Sequence, residues 1–96
     1  MKFTDLKFKE NSWGGCGATY TFDNGVGISV QAGKYHYCSP REDLWLDEYS
    51  SFEVAIFDSN NEFVTKDYVE DATDDVLGWQ DRDDIDNLMI KIQEDI

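Results

Sequence analysis

The chain is 96 residues long and carries 21 acidic against 8 basic side chains, a net charge of −13. That length suits one core of sheet and helix rather than a core plus a deep substrate cleft, and the charge repels nucleic-acid phosphates and anionic lipid headgroups while attracting basic surfaces and divalent cations. Apolar residues at 41% and aromatics at 15% exclude a disordered acidic tail, which is poor in both.

The charge is concentrated late: residues 1–40 hold three acids and four bases, residues 41–61 six and one, residues 62–96 twelve and three. Its magnitude exceeds the roughly 2–8 charges that keep a small domain soluble and works against compaction by self-repulsion, so a purpose beyond solubility is expected. Cys16 and Cys38 lie 22 positions apart. The start Met1-Lys2-Phe3-Thr4-Asp5-Leu6 has no apolar run of signal-peptide length, and no stretch approaches the roughly 20 apolar residues of a membrane span. The expectation is a cytoplasmic protein with both thiols reduced, the alternative being a disulfide if the segments around 16 and 38 are neighbours in the sheet.

Residues 3–9 alternate weakly, Leu6 and Phe8 against Lys7 and Lys9, and predict a short first strand with one wet face. Residues 11–17 interrupt the pattern with Gly14, Gly15 and Gly17; without the Lys and Ser/Thr of a P-loop or a following helix pattern, they read as a flexible turn. Across residues 18–32 two alternating runs flank Asn24-Gly25, and that pair tolerates the positive φ of a type I′ turn, so the segment predicts a β-hairpin. Residues 35–38 read as a third short strand, with Tyr35 and Tyr37 on one face and His36 and Cys38 on the other. His36 is the only histidine. No CxxC or HxxxH spacing accompanies it, zinc wants four ligands, and no orienting partner for a base can be named, so it is expected on the sheet surface without metal, cofactor or catalysis.

Residues 39–51 hold the only proline, Pro40, and four carboxylates around Leu44-Trp45-Leu46. Long loops in small domains tend to be functional; Trp45 is expected to close over the core, the alternative being an exposed anchor. Residues 52–57, nearly apolar throughout, predict a central strand, residues 58–61 a turn, and residues 62–65 its hairpin partner. An acidic connection, 66–80, ends in the apolar bridge Val76-Leu77-Gly78-Trp79, expected to pin the helix entry to the sheet. Over residues 81–95, Ile85, Leu88, Met89 and Ile92, continued by Ile96, recur at steps of three and four and line one face of an α-helix. Asp81 suits the N-cap with Asp84 in the capping-box position, and Asp83, Asp84 and Asp86 sit in the first turn, where the dipole favours negative charge. Glu94 and Asp95 fall at its negative end; with Asp74 and Asp75, they are the acids that ask for a partner. An EF-hand loop counted from Asp81 fails at Asp86 and Ile92, where glycine and glutamate are needed. Paired carboxylates for glycoside hydrolysis need a cleft between them, and the helix period presents these outward.

The sequence thus predicts one α+β domain: an antiparallel sheet of four or five strands built from hairpins over about 3–65, with one C-terminal helix packed on a face. Residues 20–30 (Tyr20-Thr21-Phe22-Asp23-Asn24-Gly25-Val26-Gly27-Ile28-Ser29-Val30), the strand 52–57, Asp75-Val76-Leu77-Gly78-Trp79 and the closing helix together resemble small phage-encoded early or accessory proteins, with an Asn-Gly hairpin, a buried strand, a DVxGW bridge and a terminal helix; the loop over 40–51 reads as an insertion. In size and acidity the chain is similar to anti-CRISPR and anti-restriction inhibitors. The resemblance implies a phage origin, the cytoplasm of an infected host cell, and a non-enzymatic inhibitor whose acidic face binds the basic, nucleic-acid-binding surface of a host protein, a Cas effector or a restriction enzyme. The candidate contacts are Glu42, Asp43, Asp47 and Glu48 in the loop, Asp74 and Asp75 before the bridge, Asp83 and Asp84 at the helix start, and Glu94 and Asp95 at its end. The alternatives are a phage accessory or structural protein that self-associates through its sheet, and a small enzyme or nucleotide-binding module using His36.

Overall fold

Alternation of apolar and polar residues lets a strand bury one face and wet the other, and the computed structural model, which describes residues 2–94, pairs Cys16–Thr21 (β2) with Gly27–Ala32 (β3) from Cys16↔Ala32 to Thr21↔Gly27. Between them Gly25 takes φ 89° and its N–H donates to the Phe22 carbonyl, while the Phe22 N–H donates to the Val26 carbonyl. The hairpin forms as expected, but its loop has three residues, with a turn followed by a left-handed glycine. Only Gly25 of the pair needs positive φ; Asn24 instead donates its side-chain amide to the Ile92 carbonyl at 2.8 Å, satisfying a carbonyl in the helix's last turn.

Lys9–Glu10 (β1), Phe52–Phe57 (β4) and Val76–Gln80 (β5) complete a five-stranded antiparallel meander in the order β1-β2-β3-β4-β5. The α-helix Arg82–Glu94 (α2) covers one face, burying Ile85, Leu88, Met89 and Ile92 against Ile28, Val30, Val54 and Ile56. The fold is α+β. Asp81 and Asp84 form the expected reciprocal cap, each carboxylate accepting the other's backbone N–H at 2.8 and 3.0 Å. Asp95 and Ile96 lie outside the described residues.

Four local expectations are corrected. The segment 3–9 is not a strand: Phe3–Asp5 makes a single 3-10 turn, because Asp86 on α2 accepts the Phe3 N–H at 2.6 Å and the Phe3 ring packs on Phe52. Only β1 joins the sheet, and this two-residue edge bearing Lys9 is a poor template for further pairing. Residues 62–65 do not return as a full strand: after one bridge, Phe57↔Phe63, the chain turns into the short helix Thr65–Tyr68 (α1). Thr65 dictates this, since its buried hydroxyl accepts the Ile56 N–H at 3.0 Å and donates to the Asp75 carbonyl at 2.6 Å, replacing the strand partner that Ile56 would otherwise need. The apolar bridge is itself β5, so the sheet extends to Gln80. Finally, residues 35–38 form a turn rather than a third strand, held down by Glu53 as described below.

Candidate functional site

Along β4, Phe52, Val54 and Ile56 point into the core, so Glu53 projects from the sheet face opposite α2. A carboxylate there needs partners, and it has two. Oε1 lies 3.1 Å from Nδ1 of His36, and Oε2 accepts the Tyr37 backbone N–H at 2.9 Å. Nε2 of His36 in turn lies 3.2 Å from the indole nitrogen of Trp13. An indole N–H can only donate, so Nε2 is the acceptor and the ring proton belongs on Nδ1, donating to Glu53. With both nitrogens engaged, His36 is a brace between the glycine loop and the sheet.

The same carboxylate fixes Tyr37, whose ring packs on Trp79 with centroids 5.5 Å apart. Trp79 stands on a β-bulge: pairing of β4 with β5 slips between Phe52 and Val54, and Trp79 takes φ 53° with its N–H on the Tyr37 carbonyl at 2.9 Å. Bulges re-aim side chains, and this one turns the indole outward. Gly78 is required beneath it, because a Cβ there meets the Tyr37 Cβ at 2.8 Å. Arg41 then lays its guanidinium over the Tyr37 ring at 5.4 Å. Trp13, Tyr37 and Trp79 remain 54%, 50% and 55% exposed; Tyr37 and Trp79 are in ring contact and Trp13 is joined to them through His36 and Glu53, which makes an aromatic platform. Trp45 is also exposed, at 47%, and does not close over the core. Its place is taken by Tyr49, fully buried, whose hydroxyl accepts the Leu44 N–H at 2.8 Å and donates toward the Glu42 carbonyl, tying the loop over 42–49 together.

The candidate acids fall into two groups at opposite ends of β5. Glu42, Asp43, Asp47 and Glu48, all exposed, lie in the loop over 39–51, which Arg82 fastens to the start of α2 beside Asp83 and Asp84 by donating to the Tyr49 and Leu46 carbonyls at 2.9 and 3.2 Å. Asp43 rests its carboxylate against Gly14, next to Trp13. Asp74 and Asp75 precede β5 at its other end, where Glu94 closes α2 near the β2–β3 turn. Asp95 is outside the described residues. Asp84 is engaged in capping and Asp86 in holding Phe3, whereas among the described residues no hydrogen bond or ion pair engages the carboxylates of Glu42, Asp43, Asp47, Glu48, Asp83 or Glu94.

Cys16 and Cys38 are free and fully buried. Burial pushes the Cys16 thiol from 9.0 up to about 11, with the nearby Cys38 adding to the shift; burial also raises Cys38 and Tyr49. The folded protein therefore holds these protons after the unfolded chain has released them, so stability is full below pH 9 and falls as pH rises toward 11. Thermal unfolding measured from pH 8 to 11 should show this decline, flatter in Cys16→Ala. A thiol-exchange reagent at pH 8 should leave both cysteines unmodified until the chain is unfolded.

Among the described residues no group of three or more His, Cys, Asp or Glu side chains is arranged to hold a metal ion, and no helix is long and apolar enough to cross a membrane. Comparison of the chain with family models, with curated proteins and with solved structures finds no match. The aromatic platform escaped the sequence reading, although Glu53 was a signal for it: an acid in an otherwise apolar central strand has to find partners on the outer face.

Proposed function

We propose that the protein is a phage-encoded, non-catalytic inhibitor that occupies a basic, nucleic-acid-binding surface of a host defence protein, a Cas effector or a restriction enzyme, with its carboxylates standing where phosphates otherwise bind. The observation that carries this reading is the absence of internal neutralisation. Among the described residues no lysine or arginine is paired with a carboxylate, and the one contact of that kind, His36 with Glu53, is a hydrogen bond from the Nδ1–H. Arg82 and Lys91, two of the three bases in residues 62–96, direct their charge to backbone carbonyls of Tyr49, Leu46 and Tyr68. The acids thus keep their field for a partner, which serves steering and register in a charged interface. Self-association through the sheet is less favoured by the edges, since β1 is two residues long and the Trp79 N–H on β5 is already taken by Tyr37.

The test is inhibition of DNA cleavage by purified Cas effectors and restriction endonucleases. Inhibition is expected against at least one, weakening as salt rises from 50 to 200 mM. Reversing Asp43, Asp47 and Asp83 together to lysine is expected to reduce potency by about 100-fold or more, as close charge pairs across such interfaces contribute several kcal/mol. Asp84 is left intact because its reversal breaks the helix cap. Undiminished inhibition by the reversed protein at 50 mM salt would remove the acidic face from the mechanism.

A further inference from the structure

Acids at two ends of a small protein do not say where a partner's contact is centred, but the aromatic platform does. We infer that Trp13, Tyr37 and Trp79 form the docking centre for an arginine-bearing segment of the basic partner, with the carboxylates of the 39–51 loop as its rim. The partner's basic character rests on the function proposed above; the place and chemistry of docking rest on three observations of the platform itself.

The rings are exposed and yet held. Trp13 is pinned through His36 to Glu53, Tyr37 through its N–H to the same carboxylate, and Trp79 by the bulge and the Tyr37 carbonyl. Rigid, half-exposed tryptophan and tyrosine lose little freedom on binding and are the side chains over-represented at interface hot spots. Second, Trp79 holds a backbone conformation that a bulky side chain rarely adopts; strain of this kind persists where the surroundings over-determine it, and it clusters at functional positions. No core packing explains it, since the indole it presents is 55% exposed. Third, the platform already receives a guanidinium: Arg41 lies over Tyr37 at 5.4 Å. Arginine stacks on aromatic faces and sheds its hydration more readily than lysine. The carboxylates that complement such a cation are adjacent, Glu42 and Asp43 following Arg41 in the chain and Asp43 resting on the glycine beside Trp13. Aromatic centre and acidic rim together fit an arginine-rich protein surface.

The experiment titrates the full-length protein with a nona-arginine peptide, a nona-lysine peptide and a twelve-residue oligothymidylate, following tryptophan fluorescence and calorimetry at 50 and 150 mM salt. The arginine peptide is expected to bind ~10-fold more tightly than the lysine peptide, the difference coming from stacking. Trp13→Ala combined with Trp79→Gly should abolish that preference. Glycine is chosen at 79 because it adopts positive φ without strain, so the variant keeps its fold, which a cooperative unfolding transition and an unchanged far-UV circular dichroism spectrum will verify. Equal affinity for the two peptides, or a preference that survives the double variant, overturns the inference. Oligothymidylate binding that depends on the two tryptophans overturns it in favour of a single-stranded nucleic acid, and a dimer in sedimentation that the double variant dissolves overturns it in favour of a second copy of this chain. If the peptides behave as expected but no nuclease is inhibited, only the functional reading falls. If nucleases are inhibited equally by wild type and double variant, only the docking centre falls.

Discussion

Phe52→Ala is expected to destabilise the protein by about 3–5 kcal/mol, the range for truncating a buried phenylalanine. The ring is fully buried, and it joins parts of the chain that are far apart in sequence. Phe3 from the N-terminal turn packs on it with centroids 5.0 Å apart, Phe8 at 6.0 Å and Tyr49 from the 39–51 loop at 6.1 Å, while the Arg82 guanidinium from α2 covers it at 5.2 Å. Removing the ring opens a cavity under three aromatic neighbours, of which Phe3 and Tyr49 are held in place by hydrogen bonds to other parts of the chain. Small domains hold roughly 5–15 kcal/mol in total, so the loss is a large share, and the midpoint of thermal unfolding should drop by about 15 °C or more. Urea titration should show a lower midpoint at unchanged slope. Phe63→Ala is the control: its ring stacks on Phe57 at 4.8 Å but is 49% exposed, and its loss is expected to cost about 1 kcal/mol. Equal effects of the two substitutions would mean that Phe52 is not the hub its contacts describe.

The elements that the sequence predicted correctly are those in which local pattern and tertiary demand agree. The hairpin of β2 and β3 and the helix α2 with its Asp81–Asp84 cap carry the period of their own geometry over five or more residues, and β4 is the apolar run that an interior strand requires. Short segments misled for the opposite reason. Tyr35-His36-Tyr37-Cys38 alternates like a strand, yet the Tyr37 N–H goes to Glu53, 16 positions away, while the Cys38 thiol folds back on Gly33, and together they override a four-residue pattern. Thr65, a good strand former, uses its hydroxyl to end a strand instead. The 3-10 turn at Phe3–Asp5 depends on Asp86, 83 positions away.

The candidate acids were visible as charge, but charge carries no position. Spacing from Asp81 marks Asp84 as the capping partner, but nothing local separates Asp83, whose carboxylate is unengaged, from Asp86, which holds the N-terminal turn. The platform was less visible still. Trp13, Tyr37 and Trp79 span 66 positions of sequence, and they are assembled by Glu53, which holds the first two, and by a bulge under the third whose only trace is the glycine before Trp79.

Arg82 is where the acidic loop and the core meet, and its loss should be the second largest effect. Its two guanidinium nitrogens donate to the Tyr49 and Leu46 carbonyls while its plane covers the Phe3 and Phe52 rings at 5.2 Å each. Two hydrogen bonds from a charged donor together with stacking suggest a loss of about 2–4 kcal/mol for Arg82→Ala. Lysine should recover less than half of this, because an ammonium cannot serve two carbonyls in one plane while lying flat on a ring. Hydrogen exchange locates the damage: the Leu44 amide, bonded to the Tyr49 hydroxyl, should lose its protection in Arg82→Ala while the amides of β3 and β4 keep theirs relative to the lowered global stability. A loosened loop no longer holds Glu42, Asp43, Asp47 and Glu48 in place, so any affinity for a basic partner should fall with it even though the substitution makes the protein more acidic. A gain in affinity would show that net charge, not placement, governs binding. Because Arg82 stacks on Phe52, the effects of the two substitutions should not add: the double variant is expected to fall short of their sum by about 0.5–2 kcal/mol.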